Sequence, residues 1–515
     1  MNTREFIEKY GEEDIASVAL KIRQYPDVDA AFALQQIGGR QCALHKLPTI
    51  ASIEDWHWAK RLNIEQCSGE KACLYKRQIA ADLLRHITNR HARAIGADLT
   101  GGLGADTVFL STLFSEWHYV EKDAELCRLA EHNFNLLTGR KIIIHNQQAE
   151  EFAATLNYRM EKVSERLVVE NVSERLVVEN VSERSIVEKV SGRSTILDFL
   201  YIDPARRDKS GNKVFRIADC TPDIAQLYPT IRKIADIVMI KLSPMLDIND
   251  ALNWIPETNE VHIVATQGEV KEVLLIIRTQ DQRADGQSSN KNSDVQAGAV
   301  RQTEPYMQQF PERLLKHNAI IHAVDILNNE TIDFAFTAAE EQNAVCPYTE
   351  QITEGDIIFE PNAAILKAGA FRLIAQRYNL LKAAPNTHIY KMYEEQMYDV
   401  QRIPGRIFRV EKVLDKKLRK TLVGTYANII CRNYPVKADE LKKQLRTKDG
   451  GDRYIIGIRI GNTPTLLLCT NVTLALRTDV RCERSETFST IEHSETFSTI
   501  ERSETFSTIS NTKDN

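Results

Sequence analysis

Along the first 85 residues or so the apolar positions recur three and four apart. "DIASVALKIRQYP" and "AAFALQQIGGRQCALHKLP" keep that spacing and each ends at a proline, which predicts a helical region. Between about residues 93 and 278 the pattern changes to short apolar runs separated by helical stretches. "RAIGADL", "WHYVEKD", "KIIIHN", "ILDFLYID", "DIVMIKLS", "EVHIVAT" and "EVLLIIRT" read as strands. Such alternation implies an α/β domain with a mostly parallel sheet covered by helices on both faces. Residues 279–305 are polar and poor in apolar side chains, as expected of a disordered loop. A second mixed region follows to about residue 400, then a compact α/β segment from "RIFRVEKVLDKK" to "TPTLLLCTN".

Two sets of near-identical nonapeptides interrupt this plan. "VSERLVVEN VSERLVVEN VSERSIVEK" spans 163–189 and "SETFSTIEH SETFSTIER SETFSTI" spans 485–509. A solenoid needs units of about 20–50 residues that bury a shared core. Nine residues in so few copies bury little, so these read as insertions in a surface loop and at a terminus.

At 515 residues the chain has room for three or four domains. Its 43% apolar and 27% charged residues are ordinary for a soluble globular protein. The net charge of −5 excludes a polycation, so any nucleic-acid binding must come from a local basic region. No run of about 18 apolar residues is present, so no membrane span is expected. The charged start "MNTREFIEKYGEEDI" is unlike a secretory signal. Nine scattered cysteines without C-x-x-C give no zinc or disulfide pattern and no metal is expected; they suit reduced thiols in a cytoplasm.

The candidate chemistry starts at "ADLTGGLGADTVFLS", residues 97–111, a strand end, a glycine turn and a helix start. A dinucleotide turn would read G-x-G-x-x-G, and a P-loop would end in Lys-Ser/Thr. Here Asp98 precedes and Asp106 follows Thr100, Gly102 and Gly104. Carboxylates so placed repel a pyrophosphate and suit a cationic, amine-bearing ligand such as the amino-acid end of S-adenosylmethionine. Glu121, at the tip of the next strand, is placed to accept from ribose hydroxyls. Gln148, after the third, offers a carbonyl to an adenine amine. "YIDPARRD" ends the fourth strand with Asp203 and Pro204 beside the reactive end; Arg206 and Arg207 follow. Upstream, Gln66 and Ser68 in "EQCSGE" precede an amphipathic helix and are the contacts expected to fold over the methionine moiety.

"DLTGGLGADT", "VEKD", "EQCSGE" and "YIDPARRD" resemble class I S-adenosylmethionine-dependent methyltransferases. More narrowly, "FALQQIGGRQ", "IIFEPNAAILKAGAF" and the segment from "RIFRVEKVLDKK" onward resemble a Bacteroidetes group with a ferredoxin-like and a C-terminal THUMP-like domain. The resemblance implies a Rossmann-like methyltransferase domain at 86–278, carrying the repeat insert at 163–193. It implies a ferredoxin-like α+β domain at 306–400 and a THUMP-like domain at 401–475, with a disordered tail at 476–515. It also implies an RNA partner. Between Arg402 and Arg453 there are 15 Lys/Arg against 6 Asp/Glu, inside an acidic chain. Lys416, Lys417, Arg419, Lys420, Lys442 and Lys443 concentrate on two helix-like stretches, a phosphate-tracking surface, and Arg206 and Arg207 are further candidate RNA contacts.

Asp203, Lys241 and Ser243 in "MIKLSP", and Glu272 converge at expected strand tips. With Lys76 or Lys71 they resemble the Lys–Asp–Lys–Glu set of ribose 2′-O-methyltransferases, in which a lysine depresses the hydroxyl pKa. Base methylation at nitrogen, with Asp203 accepting from the amine, is a comparable reading, though the aromatic that usually follows the proline turn is replaced by Ala205 and Arg206. An RNA-binding relic without activity and a small-molecule methyltransferase are the alternatives from other classes.

Overall fold

Helices α1 (Thr3–Tyr10), α2 (Ile15–Lys21), α3 (Ala30–Lys46), α4 (Pro48–Ala51), α5 (Arg61–Gln66) and α6 (Glu70–Ile87) build the N-terminal region, as the periodicity predicts. Asn2, Asp14 and Asp29 cap three of them by accepting from free backbone N–H groups of the first turn. The computed structural model describes residues 1–87, 93–169, 195–205, 220–279, 318–327, 330–393 and 403–473, with side chains of the helix 149–169 described to residue 162. Phe6, Val18, Ile22, Ala33 and Ile37 form a small core of their own. Trp56, Trp58 and Ile64 share a second core with the following domain. No described helix is long and apolar enough to cross a membrane.

The first sheet has the strand order β3-β2-β1-β4-β5-β7-β6-β8-β9. Its members are β1 (Ile95–Asp98), β2 (Glu116–Glu121), β3 (Ile142–Asn146), β4 (Leu197–Ile202), β5 (Ala235–Leu242), β6 (Glu260–Thr266), β7 (Glu269–Arg278), β8 (Ile320–Ile326) and β9 (Thr331–Thr337). Strands β1 to β5 are parallel and β7 lies antiparallel between β5 and β6. The order reverses between β1 and β4, which opens a crevice at the C-terminal ends of those strands.

The chain after the polar linker does not begin a separate domain at 306 as expected. It first adds β8 parallel to β6, and β9 antiparallel to β8. An open edge on β6 would leave a row of unpaired backbone groups, which β8 satisfies. Ile321, Ala323, Phe334 and Phe336 enter the core on one face, and Val324 and Ile326 enter the core on the other.

The remaining strands make one sheet, not two. They are β10 (Ile357–Pro361), β11 (Leu381–Ala384), β12 (Thr387–Met392), β13 (Gly405–Val413), β14 (Asn428–Arg432), β15 (Arg453–Ile460) and β16 (Thr463–Asn471), in the order β11-β12-β10-β13-β16-β15-β14. The expected ferredoxin-like and THUMP-like parts are therefore joined through β10 and β13. The sheet curls until its ends approach. Gly461 N donates to Ala383 O at 2.9 Å, and Asn433 Nδ2 donates to Thr387 Oγ1 at 3.2 Å. Ile358, Ala383, Ile389, Phe408, Ile430, Ile456 and Leu467 bring all seven strands to one interior.

A short helix, Ala363–Ala368, ties the two sheets. Asn362 caps it, and Ala364, Ile365 and Ala368 pack with Val261, Ile263, Leu275 and Ala323. Lys367 Nζ donates to Leu246 O at 3.0 Å, in the loop after β5. Arg206, Arg207, residues 280–305, the repeats from 170 onward and the tail 476–515 lie outside the described residues.

Candidate active site

Strand β1 ends at Asp98, and the chain turns through Leu99–Gly104 into helix α7 (Ala105–Leu110). Gly102 (φ +55°) and Gly104 (φ +80°) hold left-handed backbone that other residues adopt at a cost. Gly101 is needed for space, since a Cβ there would stand 2.1 Å from the Tyr119 ring. Tyr119 in turn donates to Gly102 O at 2.6 Å. Glu121, at the end of β2, accepts from Gly102 N at 2.8 Å and Asp123 N at 2.9 Å.

Asp98 is buried, and it braces the turn. Its carboxylate accepts from Thr100 N at 2.9 Å and from Thr107 Oγ1 at 3.0 Å. Burial pushes its pKa up to about 7, against the pull of the Thr100 hydrogen bond. A folded-state pKa above the unfolded value means the fold prefers the protonated form. Stability then falls as pH rises from about 4 toward 7, with a slope from this group of at most about 1.4 kcal/mol per pH unit. Asp98→Asn is expected to flatten the stability profile over that window. Urea unfolding at steps between pH 4.5 and 7.5 measures this, and parallel profiles for the two proteins would reject it.

Below the turn lies a closed charge network. Lys76 Nζ, on α6, has no solvent exposure and lies 2.9 Å from Asp106 Oδ1 and 3.0 Å from Glu272 Oε2. It also donates to Ser68 Oγ at 2.7 Å, while Ser68 Oγ and Tyr201 OH each donate to Asp106 Oδ2 at 3.0 Å. Burial alone would push Lys76 down, but the charges of Asp106 and Glu272 outweigh it and raise its pKa. Burial would likewise raise Asp106, and Lys76 and Lys241 hold it below the usual carboxylate value.

Beside this network, Lys241 at the end of β5 donates to Asp203 Oδ2 at 2.5 Å, and Asp203 N donates to Thr100 Oγ1 at 2.6 Å. The Asp203 side chain keeps 31% of its surface exposed, the Lys241 side chain 14%. Burial presses the Lys241 pKa down, and Asp203 overcomes it and raises it. This pair is thus the charged couple open to a ligand. Glu272, by contrast, is enclosed against Lys76.

Of the residues expected around the cofactor, the structure gathers Ser68, Asp98, Thr100, Gly102, Gly104, Asp106, Glu121, Asp203 and Pro204 about the C-terminal ends of β1, β2 and β4. Gln148 is exposed just beyond β3, where its main-chain carbonyl accepts from Phe152 N at 3.1 Å to start helix α8 (Ala149–Val169). Gln66 is exposed at the end of α5 and stands outside the network that holds Ser68. Of Lys76 and Lys71, Lys76 is the one seen on Glu272. Tyr201 and Thr107 escaped the sequence reading, because nothing in a strand's apolar run marks which hydroxyl will reach a carboxylate.

Farther along the sheet, Glu260, His262 and His322 form an unexpected cluster of metal-ligand types. The imidazole rings are parallel, with centroids 4.3 Å apart, so their in-plane lone pairs do not converge on one point. Their polar atoms are engaged with Tyr75, Asp333 and each other. At the other end of the molecule, Lys416, Lys417, Lys420 and Lys443 are exposed, Arg419 and Lys442 half-buried, and Lys442 pairs with Asp449. Leu418, Leu441 and Leu445 anchor the two helices that carry them.

Residues 358–396 match a ferredoxin-like domain family, and residues 405–471 match the THUMP domain-like family. The chain has the domains of the group its motifs resemble. The crystal structure of a candidate methyltransferase from Porphyromonas gingivalis W83 is similar to it, with 27% identity and a TM-score of 0.64, covering 92% of this chain and 99% of that one. A candidate methyltransferase from Streptococcus mutans, solved in complex with SAH, is similar at 12% identity and a TM-score of 0.24, over 39% of this chain and 96% of that one. No curated protein matches the chain in sequence. The ferredoxin-like domain supplies β10 to β12 and the THUMP-like domain β13 to β16 of the shared curled sheet.

Proposed function

We propose that the chain is an S-adenosylmethionine-dependent methyltransferase that acts on RNA. The observation that carries this is the cluster at the strand ends: a glycine turn braced by Asp98, Glu121 bonded to that turn, and the partly exposed Asp203–Lys241 pair beside both. The donor set fits the cofactor. Glu121 is an acceptor suited to two ribose hydroxyls, the Gly102–Gly104 backbone admits close approach, and Gln148 is exposed at the β3 end. When bound, the cofactor supplies a methyl group on a sulfonium, transferred in line to a nucleophile held in place. Asp203 and Pro204 orient the acceptor, and Lys241 fixes the Asp203 carboxylate in place to accept the acceptor's proton. Ser68, Lys76 and Glu272 act through this pair as positioning residues. The THUMP-like match and the basic surplus between Arg402 and Arg453 support RNA as the partner.

Calorimetric titration of S-adenosylmethionine into wild type and Glu121→Ala tests the first half. Wild type is expected to bind, and Glu121→Ala to bind at least tenfold more weakly. Incubating labelled cofactor with total bacterial RNA tests the second, with label expected in RNA. Folded wild type that binds no cofactor would overturn the reading.

A further inference from the structure

The mouth of the curled sheet holds a second charged arrangement. Glu360, near the end of β10, has a side chain only 2% exposed. Its Oε2 accepts from Arg406 Nε at 3.0 Å and Arg406 Nη2 at 2.5 Å, and its Oε1 lies 2.8 Å from Arg432 Nη2. The two arginine side chains remain 45% and 38% exposed. Arg406 turns its Nε edge to the carboxylate, and Arg432 gives Nη2 to it and Nη1 to Cys431 O at 3.4 Å. Arg432 Nε is shielded from solvent without an acceptor among the described residues. Arg406 lies over the rings of Phe408 and Tyr454, 5.6 and 5.9 Å from their centroids.

Two fixed, partly exposed guanidiniums on one carboxylate leave a net positive charge, and guanidinium is the side chain suited to binding phosphate. The position matters too. Asn362, two residues beyond Glu360, donates to Asp325 Oδ2 at 3.3 Å, near the C-terminal end of β8. That end faces the same way as the C-terminal ends of β1, β4 and β5, because β6 and β8 run parallel to them. The arginine mouth therefore lies near the C-terminal end of β8, on the end of the first sheet that also carries the crevice. The helix with Lys416 and Lys417 follows the far end of β13, beyond Val413, and the helix with Lys442 and Lys443 follows β14.

We infer that Arg406 and Arg432, ordered by Glu360, bind the phosphodiester backbone of the RNA substrate and hold it across to the methyl-transfer site. This rests on the proposed function and moves the principal RNA contact from Lys416, Lys417, Lys442 and Lys443 to the mouth of the curled sheet. The test uses the full chain and a fluorescein-labelled, 20-nucleotide single-stranded RNA of mixed sequence, with binding read by anisotropy at several salt concentrations.

Arg406→Gln/Arg432→Gln is expected to bind at least tenfold more weakly. Its salt slope should fall by about 1.4, for two lost phosphate contacts on a single strand. Cofactor affinity should be unchanged. Arg406→Lys/Arg432→Lys keeps both charges beside Glu360 and serves if the glutamine pair does not fold by circular dichroism. Its slope should hold while affinity drops threefold or more, because the forks are gone. Either folded variant binding as wild type does would overturn the inference alone. So would a loss confined to a Lys416→Gln/Lys417→Gln/Lys442→Gln/Lys443→Gln protein. Wild type that binds cofactor and no RNA would overturn the RNA reading together with it.

Discussion

Lys76→Met is expected to destabilise the protein by about 3–5 kcal/mol, the cost of leaving buried carboxylates without their cation. Asp106 and Glu272 both lean on that ammonium, and Ser68 Oγ accepts from it. The methionine fills most of the volume, so the loss reports charge and not a cavity. Adding Glu272→Gln should recover part of it, since only one buried carboxylate then remains. The sign with pH is checkable as well. Asp106 sits below its ordinary value in the fold, so its contribution is present above the unfolded pKa and lost as pH falls through the folded one. In Lys76→Met this acid-side loss should shrink. Denaturant unfolding of the three proteins at neutral and acid pH measures both effects. A difference below about 1 kcal/mol at pH 7 would show that the network contributes little.

Lys241→Met is expected to leave cofactor affinity within about threefold and to slow methyl transfer by about 10²–10⁴-fold, the usual worth of a positioned acid–base group. The lysine bonds Asp203 and none of the turn residues that the proposed cofactor site uses. Its loss therefore acts on kcat more than on KM. Asp203→Asn separates the two acceptor chemistries. A ribose hydroxyl needs the cation to lower its pKa, so the lysine variant should be the slower of the two. An amine needs an acceptor for its proton, so the aspartate variant should be. Single-turnover transfer of labelled methyl to bulk RNA compares them. Rates within threefold of wild type in both variants would remove the pair from the mechanism.

The residues that could be read in advance are those whose role is set by short chain distance. Asp98, Gly102, Gly104 and Asp106 lie within one short strand–turn–helix, and the apolar runs that become β1 to β7 carry their own period. Glu121 was legible because a βαβ unit brings successive strand tips side by side. The helical N-terminus and the basic surplus of the THUMP-like segment are likewise properties of contiguous sequence.

Folding alone decided the rest. Lys76 is separated by 196 positions from Glu272, and nothing near it in the chain distinguishes it from Lys71. Burial of α6 against α7 makes it the one that must find two carboxylates. β8 and β9 left the expected ferredoxin-like domain because the β6 edge needed a partner, a demand made by a sheet and not by a segment. Glu360, Arg406 and Arg432 come from three strands and meet only when the second sheet curls. Chain-local patterns thus set the elements and the turn chemistry. Charge pairing across the core, and with it the identity of the site's enclosed and open groups, was set by which faces the packed sheets excluded from water.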